Sequence, residues 1–142
     1  MTPDVSDPLA GPFWQAAANS ELRITWCERC DRAVWYPRAE CPQCHGELHW
    51  RALSGDATLL SWSEVMAPIN PDHAPPYITG LVCPLEAPEV RLVTRIVDCE
   101  ADKLRCDMPV RVCFRTLQTR DDQSFTAPVF HLAEQENTRS PR

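Results

Sequence analysis

Lysine is almost missing from this chain of 142 residues: Lys103 is the only one, and arginine supplies the rest of the 14 basic side chains. Against 20 Asp and Glu this leaves a formal charge of −6, and no run of Lys and Arg stands out along the sequence. Surfaces that neutralise nucleic-acid phosphates rest on clustered cations, so the balance argues against non-specific nucleic-acid binding while leaving room for a local basic patch. No apolar run is long enough to cross a bilayer. The opening Met1-Thr2-Pro3-Asp4-Val5-Ser6-Asp7-Pro8 has no basic segment leading into an apolar core, and a cytoplasmic location is expected. Catalytic signatures are missing too. There is no Gly-rich phosphate loop, no Gly-x-Ser-x-Gly and no His-Glu-x-x-His, and the carboxylates are scattered. These absences shift the expectation toward a binding or scaffolding role.

What is present fits a small globular chain: 44% hydrophobic and 24% charged residues, enough for one domain or a domain with an appendage. The 14 prolines are about twice the usual share and gather between Pro68 and Pro88, so helix is expected to be scarce beyond the N-terminal part. The first dozen residues read as a flexible lead-in, followed by a short Ala-rich helix opened by Pro12. Strands are expected at Leu22–Trp26, Ala33–Tyr36, Leu48–Leu53, Ala57–Met66, Tyr77–Pro84, Val90–Val97, Val110–Leu117 and Thr126–Leu132. Asp98–Arg105 reads as a helical turn or tight loop. The fold class is therefore mainly β, with a five-stranded OB-fold barrel or a small sandwich fitting the strand count. The expected organisation is a lead-in and helix over 1–21, a ribbon over 22–52, a barrel over 53–134 and a flexible tail over 135–142.

The most specific signal is cysteine. Cys27-x2-Cys30 and Cys41-x2-Cys44 stand ten residues apart, and two such turns bring four thiolates to one point, as a tetrahedral structural zinc site requires. Such a site has no open coordination position, and its binding free energy replaces a core that ~30 residues cannot build. Iron held as in rubredoxin, with electron transfer as its function, and disulfides are the alternatives. Gly46 is expected to allow the turn that points amide N–H groups at sulfur. His45 and His49 read as surface histidines, and Cys83, Cys99, Cys106 and Cys113 as isolated core thiols.

The order of short motifs resembles a known family, the rubredoxin-like zinc-ribbon plus OB-fold proteins that accompany thiolase-type enzymes in acyl-CoA metabolism. The matching pieces are Phe13-Trp14, Glu21-Leu22, Cys27-x2-Cys30, Tyr36-Pro37-Arg38 and Cys41-Pro42-x-Cys44. They continue with Ser54-Gly55, Leu60-Ser61-Trp62-Ser63, Pro76-Tyr77, Met108-Pro109-Val110-Arg111-Val112 and Pro128-Val129-Phe130. The chain departs from the family at Asp31 and Asp107, where glycine is usual, and by having one proline instead of two before Arg38.

The resemblance implies a C-terminal OB-fold barrel behind a zinc ribbon. It also implies a noncatalytic accessory subunit that binds a thiolase, an acyl-CoA synthase or a thiolase-like aldolase and helps hold coenzyme A or its acyl ester. A coenzyme A site needs a cation for phosphate and an aromatic face for adenine. Arg38 beside Trp35 and Tyr36, with Trp62 and Tyr77 from the barrel, are the candidates, although each aromatic can equally fill the ribbon–barrel junction. Phe13 and Trp14 are candidates for the partner surface. The competing function is single-stranded nucleic-acid binding by stacking on an OB barrel.

Overall fold

A computed structural model describes residues 2–133. The elements follow the order helix α1 (Gly11–Ala18), strands β1 (Arg23–Cys27), β2 (Arg32–Val34), β3 (Leu48–Ala52), β4 (Asp56–Val65), β5 (Tyr77–Pro84) and β6 (Leu92–Ile96). A 3-10 turn (Ala101–Lys103), β7 (Pro109–Gln118) and β8 (Ser124–Leu132) complete it. All eight expected strands form, with ends shifted by no more than two residues, and Asp98–Arg105 contains the short turn. The tail expected over 135–142, and residue 134 before it, lie outside the described residues.

The lead-in is not loose where it is described. The Asp7 carboxylate accepts hydrogen bonds from the N–H groups of Leu9 and Ala10, and Gln15 donates from its side chain to the Val5 carbonyl at 2.7 Å. These contacts lay residues 4–10 over the start of α1. A Cβ at Gly11 would stand 2.3 Å from the Val5 carbonyl oxygen, so only glycine fits that crossing.

Strands β1, β2 and β3 form an antiparallel sheet in the order β2-β1-β3. Its centre, β1, is buried along nearly its whole length because the apolar side chains at Ile24 and Trp26 face the barrel while Thr25 turns the other way. Thr25 meets burial by donating its hydroxyl to the Val34 carbonyl.

The remaining five strands close into a barrel in the order β4-β5-β6-β8-β7, which decides between barrel and sandwich. Four of its seams are antiparallel and the last, β6 against β8, is parallel and short, with Ile96 opposite Phe130. That is the five-stranded Greek-key arrangement of an OB-fold. Alternation along β5 is complete, with Ile78, Gly80, Val82 and Pro84 inside. Gly55, at φ +96°, enters β4 where a Cβ would be 2.4 Å from the Val112 side chain. One continuous core runs from Leu22, Ile24 and Trp26 of the ribbon into Leu59, Val82, Val110 and Phe130 of the barrel. The ribbon base is therefore anchored by ordinary apolar packing, and only its far end is left without a core.

Candidate metal centre and junction cavity

At that far end, the two Cys-x-x-Cys turns face each other. Cys27 and Cys41 are fully enclosed, Cys30 and Cys44 half-buried, and the four sulfurs lie within 4.8 Å of one another. Sγ of Cys27 is 3.5 Å from that of Cys44, and Sγ of Cys30 is 4.0 Å from that of Cys41. Sulfurs at the corners of a zinc tetrahedron, with Zn–S bonds near 2.3 Å, stand about 3.8 Å apart, and the two spacings bracket that distance. The donor set of four soft thiolates, with no fifth group among the described residues, fits a closed structural zinc site.

The backbone is arranged to favour thiolate. N–H groups of Cys30, Gln43 and Gly46 donate to the sulfurs of Cys27, Cys41 and Cys44 at 3.3–3.4 Å. Backbone hydrogen bonds from Cys44 and Gln43 bring the Cys41 thiol down to about 6. The hydrogen bond to Cys44, then burial, pushes Cys30 up to about 12. Cys41 thus carries charge before Cys30, whose proton a metal would displace.

The residue after each second cysteine takes a left-handed backbone, Asp31 at φ 52° and His45 at φ 61°. Gly46 therefore does not make the turn expected of it. It supplies an N–H and open space, since a Cβ there would be 3.1 Å from the Cys44 sulfur. His45 and His49 are exposed and outside the cluster, and His45 pairs with Glu40 at 2.6 Å. The expectation of isolated core thiols needs correction for Cys106, which is exposed, while Cys83, Cys99 and Cys113 are half-buried.

The helix, the ribbon and the β6–β8 seam enclose a mostly apolar cavity of about 310 Å³. Phe13, Trp14, Leu22, Trp35, Tyr36, Leu92, Val93, Thr94, Pro128 and Phe130 are among its walls. The aromatic contacts form a chain: Trp14 on Phe13 at 5.0 Å, Phe13 on Trp35 at 5.2 Å, and Trp35 on Tyr36 at 5.4 Å. Trp14 also meets Phe125 edge-on at 5.7 Å. Phe13 and Trp14 are thus half-buried against this chain's own barrel and ribbon, while Tyr36 remains 61% exposed at the rim. The indole N–H of Trp35 is buried and has no hydrogen-bond partner among the described residues.

Arg38 lines the adjoining pocket, on the other side of Trp35 and Tyr36, with Arg32 and Arg91. Trp62 and Tyr77 do not join this group. Trp62 packs against the barrel core, and the Tyr77 ring carries the Arg95 guanidinium at 4.6 Å, with Arg95 Nη2 3.0 Å from His73 Nδ1. Sequence reasoning missed Arg32, Arg91, Val93 and Pro128 because these come together only when β2, β6 and β8 assemble. No spacing along the chain signals their meeting.

Comparison with known proteins adds to this geometry. Residues 14–49 match the family model described as ChsH2, rubredoxin-like zinc ribbon domain, and residues 50–115 match ChsH2, C-terminal OB-fold domain. The chain is similar to a "Probable enoyl-CoA hydratase alpha subunit" of Thermomonospora curvata, 32% identical over 124 residues. That alignment covers 85% of this chain and 37% of the relative, so the chain spans little more than a third of its length. Among solved structures, a chain of the "Ltp2-ChsH2(DUF35) aldolase" superposes with a TM-score of 0.77 and 26% identity, covering 92% of this chain and 98% of that one. A DUF35 protein of unknown function from Sulfolobus solfataricus shares the fold alone, with a TM-score of 0.57 at 12% identity over 92% of this chain and 89% of that one. The chain belongs to the ChsH2/DUF35 family of rubredoxin-like zinc-ribbon plus OB-fold proteins.

Proposed function

We propose that this chain is a noncatalytic accessory subunit of a thiolase-superfamily enzyme, a thiolase, an acyl-CoA synthase or a thiolase-like aldolase, and that it helps bind acyl-CoA. In this reading Cys27, Cys30, Cys41 and Cys44 hold one structural zinc ion. The metal rigidifies the ribbon so that Trp35 and Tyr36 stay at the junction cavity, with Arg38 in the pocket that adjoins it. The reacting groups come from the partner enzyme, and the assembly works in the cytoplasm. Functional domains divide near residues 22 and 53.

The observation that carries the reading is the junction cavity: an apolar space of acyl-chain chemistry, flanked by exposed aromatic and cationic side chains, in a chain resembling a subunit of an aldolase complex. The test is mild affinity purification of the tagged protein from its native cells with mass spectrometry of what accompanies it. A stoichiometric thiolase-family protein is the expected outcome. Recovery of nucleic acid or transcription proteins without a thiolase would overturn the reading. Within the recovered complex, Arg38→Ala should weaken acyl-CoA binding, and an unchanged affinity would remove Arg38 from the site.

A further inference from the structure

Four arginines of the described chain are neutralised by carboxylates: Arg23 by Glu21, Arg51 by Glu28, Arg111 by Asp56 and Arg115 by Asp98. Arg32, Arg38 and Arg91, like Arg29 and Arg105, have no such ion pair among the described residues, and what sets these three apart is their position. They come from β2, from the loop before Cys41 and from the turn entering β6, yet they line one pocket of about 350 Å³. Among the described residues, none of the three has a carboxylate within ion-pair distance, although the chain carries a surplus of Asp and Glu. Glu89 lines the same pocket and pairs with none of them. Like charges gathered in one concavity repel each other, and an anion bearing more than one charge relieves that repulsion. Guanidinium forks match phosphate oxygens in particular.

Trp35 and Tyr36 are walls of this pocket and of the apolar cavity alike. We infer that Arg32, Arg38 and Arg91 form a phosphate-binding subsite for a small amphiphile, whose phosphorylated head lies on the arginines and whose apolar tail passes Tyr36 into the junction cavity. The inference deepens the proposed function and rests on it for the choice of coenzyme A derivatives as the ligand class. A nucleic-acid strand fits less well, because it needs cations along a continuous groove and the neighbouring space here is apolar. Glu89 opposes an anion, so its charge limits affinity at this site.

The test is calorimetric titration of the full-length, zinc-loaded protein with coenzyme A, its 3′-dephospho form, pantetheine, a long-chain acyl-CoA and a short single-stranded oligonucleotide. Coenzyme A should bind, the 3′-dephospho form several-fold more weakly, pantetheine not measurably, and the acyl ester more tightly. Arg32→Gln, Arg38→Gln and Arg91→Gln should each weaken coenzyme A by about tenfold. Glu89→Gln should strengthen it a few-fold, and Arg105→Gln, outside the pocket, should change nothing. Zinc content and circular dichroism report whether each variant folds.

Unchanged affinity across folded arginine variants, equal binding of pantetheine, or oligonucleotide binding lost in the same variants would each overturn the inference. If the isolated chain binds none of the probes, the same variants are titrated in the purified complex, where unchanged affinity again overturns it. Variants that retain a thiolase-family partner and full coenzyme A affinity would sink the subsite and leave the subunit reading standing. Coenzyme A binding through these arginines in a chain that captures no such partner would do the reverse.

Discussion

In the barrel, Leu59, Val82, Val110, Val129 and Phe130 are each almost wholly enclosed, whereas the metal end of the ribbon encloses only Cys27, Val34 and Cys41. The barrel removes large apolar side chains from water at roughly 1.5–3 kcal/mol each, and hydrogen bonds run along every seam. The ribbon tip has too little apolar volume for that route and brings four sulfurs to one point instead. The difference teaches that two parts of a small chain can reach defined structure by different physics while sharing a boundary. Here the boundary is the base of β1, where Ile24 and Trp26 belong to the barrel's core and Cys27, next in sequence, belongs to the metal site.

The largest expected effect separates the two regions. Stripping zinc with a strong chelator, or Cys41→Ser, should abolish hydrogen-exchange protection around Cys27–Leu48 while β5, β7 and β8 stay protected. Structural zinc sites contribute on the order of 10 kcal/mol to their folded state, far more than the small cluster at the tip can replace. Uniform loss of protection across both regions would show instead that they fold as one unit. The protein should also be colourless with one equivalent of zinc; a coloured preparation containing iron would reopen electron transfer.

Phe130→Ala attacks the barrel at its most enclosed aromatic and should cost about 3–5 kcal/mol in denaturant unfolding. Zinc stoichiometry at neutral pH should survive in whatever fraction stays folded. Next in size, Gly55→Ala combines a left-handed backbone with a clash against Val112, and a loss of about 2 kcal/mol is expected. A stability change below ~0.5 kcal/mol would mean that the strand entry relaxes freely.

Smaller still, Asp31→Gly and Asp107→Gly should each shift stability by less than ~1 kcal/mol, because Asp tolerates the left-handed region better than most residues. Asp31 also accepts a hydrogen bond from the Trp26 indole at 3.4 Å, which glycine forfeits.

The smallest effect is on pH. Burial first, and the nearby Arg95 second, hold the His73 pKa below its ordinary value. The unfolded chain therefore binds a proton more readily than the folded one between that lowered value and about 6.5. Stability should fall as pH drops through this window and be fully present above it. His73→Gln should flatten that part of the profile by a fraction of a kcal/mol; an unchanged slope would assign the acid sensitivity elsewhere.

Much of the fold was legible along the chain. Alternation of apolar and polar residues marked Leu22–Trp26, and strand-like stretches bounded by turn signals marked the others. The paired Cys-x-x-Cys turns marked the metal site, since ligands two residues apart converge through local backbone geometry alone. The aromatic candidates divided differently. Trp35, Tyr36 and Arg38 lie together because they are neighbours in sequence, whereas Trp62 and Tyr77 lie elsewhere on the barrel wall, a separation set by strand order and register. The lead-in looked loose because its order depends on Val5 meeting Gln15, a contact that composition does not announce. Asp31, His45 and Asp107 at positive φ show the opposite lesson: backbone geometry outlasts the glycine usually chosen for it.

By itself, then, the sequence determined the elements, the zinc ribbon's four ligand positions and the family, all of which depend on local spacing. The resemblance already implied a barrel; tertiary structure alone decided its strand order and short parallel seam, that helix α1 lids the β6–β8 seam, and that Arg32, Arg38 and Arg91 share one pocket. These depend on chain closure between segments tens of residues apart, where the contacts are selected by packing and charge and leave no periodic trace in the sequence.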